Sequence, residues 1–114
     1  MIEIKGIDPK MIANNTTAFE PTHPGELLKG EIEYRGITQT QLAKQMGMSH
    51  KILNDILNQH RPLTTTTAML FEAALGVNAG FLMRMQLQYN IQMAYRDKDF
   101  TERLLKIRKI AAIL

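Results

Sequence analysis

From residue 24 onward, apolar side chains return at helical spacing, and Gly, Pro, Thr and Ser punctuate the stretches between them. Pro24 suits a first helical position and Glu26 favours the positive end of a helix dipole. Leu27, Leu28 and Ile32 give one apolar side before Gly36 ends the element. Thr38 caps a second helix with Leu42, Ala43 and Met46 inward, closed by Gly47, and Ser49 caps a third. Arg61 and Pro62 interrupt the pattern. Thr64 then caps a fourth helix in which Ala68, Phe71, Ala74 and Leu75 line up ahead of Gly76. Asn78 restarts the chain, and Phe81 to about Arg96 contains no breaker, which predicts a longer fifth helix. Phe100 to Ile113 predicts a sixth, with Leu104, Leu105, Ile107 and Ile110 apolar. The first twenty or so residues show no sustained helical period, and the alternation of Ile2 and Ile4 is a weak strand signal. The pattern predicts an all-α chain of five to six helices: an N-terminal arm over 1–22, a helical domain over 23–97 and a helical extension over 98–114.

A chain of 114 residues that is 45% hydrophobic suffices for one modest core. Without Cys there is no disulfide framework, thiolate metal site or cysteine nucleophile, and His23, His50 and His60 are far from any helical ligand spacing. No paired-carboxylate, Ser-His-acid or Gly-rich phosphate-loop arrangement stands out, so the chain is expected to be no enzyme and to need no cofactor or metal. No apolar run suggests secretion or membrane insertion, which implies a cytoplasmic protein. The eight methionines read as core filler. A net charge of +3 favours polyanionic partners without deciding among them.

The informative stretch is Thr38 to Asn58, two short helices joined by a Gly-containing turn, the spacing of a helix-turn-helix. At about 100° per residue, His50, Lys51, Asn54, Asp55 and Asn58 fall within one polar arc of the third helix. Ile52, Leu53, Ile56 and Leu57 fill the opposite arc. One face packs and the other is free to read a major groove. Lys51 suits a guanine O6 or N7, Asn54 the N6 and N7 of adenine, and Asp55 the N4 of cytosine. Gln39, at the start of the second helix, is placed to meet a phosphate, and Gln41, Asn58 and Arg61 are candidate backbone clamps.

These residues resemble the Xre-type helix-turn-helix family, and within it the HigA-type (VapI-like) antitoxins. The resemblance begins at His23, Pro24, Gly25, Glu26 and Leu28 and continues through Thr38, Gln39, Leu42, Ala43, Gly47 and Ser49. It resumes at Asn58, Arg61, Pro62, Leu63 and Thr64, then Ala68, Ala74, Leu75, Gly76, Phe81, Gln86 and Tyr89. The resemblance implies a lambda-repressor-like fold and a dimer that binds a palindromic operator in double-stranded DNA, represses its own operon and sequesters a RelE-like ribonuclease toxin. It also places Gln39, Ser49, His50, Lys51, Asn54 and Asp55 where related proteins touch DNA. Two positions depart from the family pattern. Gln59 stands where Gly is usual, and a left-handed backbone there would cost roughly 1 kcal/mol or more, so a locally different turn is the expectation. Leu82 stands where Trp is frequent, and the tail beyond Tyr95 carries six cationic residues against three acidic ones.

Three functions fit the sequence: an antitoxin and autorepressor whose N-terminal arm helps mask the toxin, a free-standing Xre-type regulator without a toxin, and a helical interaction module that does not bind DNA. A homodimer would supply affinity that one small module lacks. Phe81, Leu82, Met85, Leu104 and Ile110 are the candidate residues for that contact.

Overall fold

Four successive helices begin at residues whose side chains accept a hydrogen bond from the first turn. In the computed structural model, which describes residues 22–113, these are His23, Thr38, Ser49 and Thr64. They start α1 (Pro24–Arg35), α2 (Gln39–Met46), α3 (His50–Leu57) and α4 (Thr65–Leu75). Two further helices follow, α5 (Ala79–Arg96) and α6 (Lys98–Ile113). The regular structure among the described residues is thus all α-helix, with each expected helix present, and the second to fourth begin at the residues the capping pattern indicated. The arm expected over 1–22 and the alternation at Ile2 and Ile4 lie almost wholly outside the described residues.

Residues Thr22–Tyr89 form one compact unit. Its core is built from Leu28 and Ile32 of α1, Leu42, Ala43 and Met46 of α2, and Leu53, Ile56 and Leu57 of α3. Leu63, then Ala68, Phe71 and Leu75 of α4 and Leu82 of α5 complete it. α3 packs on α1 and α2, and α2 also packs on α4. Phe71, Leu28, Leu42 and Leu53 are fully enclosed, and burying an aliphatic or aromatic side chain of this size is worth about 1.5–3 kcal/mol. The approach of α1 to α3 is close enough that a β-carbon on Gly25 would land on the Ile56 carbonyl oxygen. Glycine at that position is therefore a packing requirement between the first helix and the third.

Residues Asn90–Ile113 belong to the second unit and comprise the end of α5 and all of α6. No residue of α6 is buried, and Phe100, Leu105, Ile107, Ile110 and Ile113 are exposed. Two expectations need correction. Leu82 is sealed in the core because α5 turns that side inward, so it is withdrawn from the dimer candidates. The methionines are less buried than core filler would be: Met46 is in the core, whereas Met69 is 58% exposed.

Candidate nucleic-acid interface

α3 is eight residues long, roughly 12 Å at 1.5 Å per residue, about the width of a major groove. Leu53, Ile56 and Leu57 hold one side of it in the core, leaving His50 and Lys51 exposed and Asn54 and Asp55 half-exposed on the other. Ile52, placed on the packing side by the sequence pattern, sits at its edge and is 36% exposed. Its methyl groups are therefore available to a thymine methyl, a contact that periodicity assigned to the core.

The polar residues are held by one another. Asn54 donates through Nδ2 to the Gln39 Oε1 at 2.9 Å, which fixes an amide on α3 against the first residue of α2. Asn58 accepts from Lys29 Nζ at 3.1 Å and donates to the Asn54 carbonyl at 3.0 Å. Lys29, easily taken for an ordinary surface charge, is thereby drawn to the end of α3. Asp55 lies 3.3 Å from Lys51 Nζ and 3.7 Å from an Arg61 guanidinium nitrogen, with its own side chain 19% exposed. Exposed pairs of this kind add little stability, a median of about 0–1 kcal/mol. Their consequence is that two cations are oriented by one carboxylate. Gln41 completes a capping box with Thr38, its Oε1 accepting from the Thr38 amide at 3.1 Å while the Thr38 hydroxyl accepts from the Gln41 amide at 3.1 Å. Ser49 Oγ accepts from the Ile52 amide at 3.0 Å. The first turns of α2 and α3 contain no acidic residue, so no carboxylate there offsets their partial positive ends, and His50 and Lys51 stand at the start of α3.

The loop after α3 is anchored from behind. Leu63 donates its backbone amide to the buried Gln86 Oε1 at 2.8 Å. His23, 2% exposed, accepts from the Gly25 amide through Nδ1 at 2.8 Å and hydrogen-bonds the Arg61 backbone, with its ring edge-on to Tyr89 at 4.9 Å. Burial pushes the His23 pKa down, partly opposed by the bond to Arg61. These two anchors, His23 on Arg61 and Gln86 on Leu63, hold the loop after α3 from behind. Helical periodicity carried no signal for them, because His23 and Gln86 reach the loop across tens of residues. Gln59 keeps the left-handed backbone, φ 66°, that a glycine would favour, so the turn there does not change despite the substitution.

Of the predicted residues, Gln39, Asn54 and Asn58 form one hydrogen-bonded group and Lys51, Asp55 and Arg61 a second, ionic one; Gln41, Ser49 and His50 lie at the helix starts. Among the described residues, no group of His, Asp or Glu is placed to hold a metal ion, and no helix is long and apolar enough to cross a membrane.

Comparison with known proteins places this geometry in context. Residues 33–82 match the family pattern described as Helix-turn-helix. The chain is 34% identical over 78 residues to Virulence-associated protein I of Dichelobacter nodosus, covering 68% of this chain and 72% of that protein. An addiction module antidote protein of a HigA family from Coxiella burnetii superposes with a TM-score of 0.68 at 30% identity, covering 77% of this chain and 95% of that one. Antitoxin HigA of Pseudomonas aeruginosa, solved with the higBA promoter, gives 0.64 at 29% identity over 68% of this chain and 85% of that one.

Proposed function

The chain belongs to the HigA-type (VapI-like) branch of the helix-turn-helix family, and from that premise we propose that it is a DNA-binding antitoxin that represses its own operon and neutralises a RelE-like ribonuclease toxin. The observation that carries the DNA reading is the polar arc of α3, exposed while the rest of the helix is locked in the core and cross-braced to α2 through Asn54 and Gln39. Such pre-positioning lowers the entropy lost when a side chain meets its target.

Each residue then has a role set by its surroundings. Lys51 and Asn54 project toward base edges, with His50 beside them at the helix N-terminus, where recognition helices make their base contacts. Asp55 positions Lys51 and Arg61 rather than reading a cytosine itself, since both cations already engage its carboxylate. Gln39, Gln41, Ser49, Asn58 and Arg61 contact phosphates and fix register. The protein acts as a homodimer on two half-sites, with Phe81 and Met85 of α5 and Leu104 and Ile110 of α6 as the contact residues. Phe81 and Met85 already border an open groove of about 280 Å³ with Arg84 and Gln88, and Ile110 is 59% exposed.

The test is a reporter driven by the chain's own upstream region, combined with growth in cells expressing a RelE-like ribonuclease toxin, taken from an adjacent reading frame where one is present. Wild type should silence the reporter and restore growth, whereas a Lys51→Ala, Asn54→Ala double variant should lose silencing and still restore growth. Silencing without growth rescue by the wild type would reduce the protein to a free-standing regulator. Neither effect would remove the proposal.

A further inference from the structure

Three helix ends in this chain close in one way. At Gly36, Gly47 and Gln59 the backbone turns left-handed, with φ of 69°, 67° and 66°. In each, the amide of the left-handed residue donates to the carbonyl three residues back: Gly36 to Glu33, Gly47 to Lys44, Gln59 to Ile56. The next amide donates to the carbonyl five residues back: Ile37 to Ile32, Met48 to Ala43, His60 to Asp55. This is the Schellman closure, in which glycine is favoured because a β-carbon is strained there. Two of the ends obey that preference. The third, at the end of α3, does not, and Gln59 is the one non-glycine residue with positive φ among the described residues.

Folding gives no reason for the side chain. Gln59 is exposed, its carboxamide has no hydrogen-bond partner among the described residues, and the helix end would close at least as well with glycine. Its surroundings point elsewhere. It follows Asn58, which holds Lys29, and precedes Arg61, which faces Asp55, so along the chain it lies between two residues tied to the polar side and C-terminal end of α3. Strain retained at an exposed position next to a binding face is the pattern expected where a ligand uses the side chain.

We propose, resting on the DNA-binding reading above, that Gln59 is a further DNA-positioning residue whose carboxamide N–H donates to a phosphate oxygen past the C-terminal end of α3. A phosphate is the target, and not a base, because recognition helices approach base edges with their N-terminal residues, while the end of the helix and the following loop run along the backbone. Gln59 thus joins Asn58 and Arg61 in a clamp held at the far end of the helix by the loop anchors His23 and Gln86.

Two variants test this on the whole chain, titrated against a duplex from its own upstream region and a scrambled duplex at two salt concentrations. Gln59→Gly should weaken both duplexes alike, by about 10- to 150-fold for one lost hydrogen bond to a charged group. The salt dependence should stay unchanged, because no cation is removed. The same variant should raise Tm by roughly 4–8 °C as the strain is relieved. Gln59→Ala should show the same loss of affinity without the gain in Tm, which separates the missing carboxamide from any reshaping by glycine. Wild-type affinity in both variants would overturn the proposal, and so would a loss confined to the upstream duplex, the mark of base reading. Failure of the wild type to bind either duplex would instead overturn the DNA reading, and this inference with it.

Discussion

His23 illustrates what single side chains do in this protein. Its ring caps α1, touches Tyr89 and holds the Arg61 backbone, so one buried imidazole ties the first helix, the fifth and the loop beside the candidate interface. Burial lowers its pKa, so the folded state favours the neutral ring whose Nδ1 accepts from Gly25. The unfolded ring takes up its proton near pH 6.5, whereas the folded ring resists until lower pH. The stabilising contribution is therefore complete above about pH 6.5 and is lost as pH falls through the lower folded value. Urea unfolding between pH 5 and 8 should show this loss in the wild type and a flatter profile in His23→Asn, which keeps a capping acceptor but does not titrate; parallel profiles would contradict the assignment. Lys51 carries the other prediction at this scale. Lys51→Ala should cost about 1–3 kcal/mol of upstream-duplex affinity and relax preference at one base pair, measured by titrating duplexes with single substitutions. Equal losses on all sequences would make Lys51 a phosphate contact.

Among the elements, the helix starts were legible because Thr38, Ser49 and Thr64 carry side chains that satisfy first-turn amides, and the ends because Gly36, Gly47 and Gly76 adopt the backbone that stops a helix. The polar arc of α3 was legible for a similar reason: helical periodicity is local, and His50, Lys51 and Asn54 follow from it. Ile52 was misplaced because periodicity locates a face but not its edge, which depends on how far the neighbouring helices wrap around it. The connection from Asn54 to Gln39 and the anchoring of Leu63 by Gln86 were hidden, since they join residues 15 and 23 positions apart. Gly25 is the element-scale test of the α1 and α3 contact. Gly25→Ala should destabilise the protein by about 1–3 kcal/mol in urea unfolding, because the new methyl group meets the backbone of Ile56 and not a side chain that could swing away. A neutral outcome would mean that the two helices separate freely. Gln86→Leu should cost about 1–3 kcal/mol by leaving the Leu63 amide buried without a partner, read in the same experiment.

For the molecule as a whole, the compact unit Thr22–Tyr89 contains the entire candidate interface, while α6 contributes exposed apolar side chains and most of the basic residues of the tail. A net charge of +3 draws the protein toward DNA without choosing a sequence; the choice belongs to the side chains of α3. The central claim is therefore tested most directly by titrating the purified protein against a duplex from its own upstream region and a scrambled duplex of equal length, at low and at physiological salt. The account predicts a clear preference for the upstream duplex, with both affinities weakening as salt rises. Equal affinity for the two duplexes, or none for either, would contradict it and leave the exposed arc of α3 a solvated helix face.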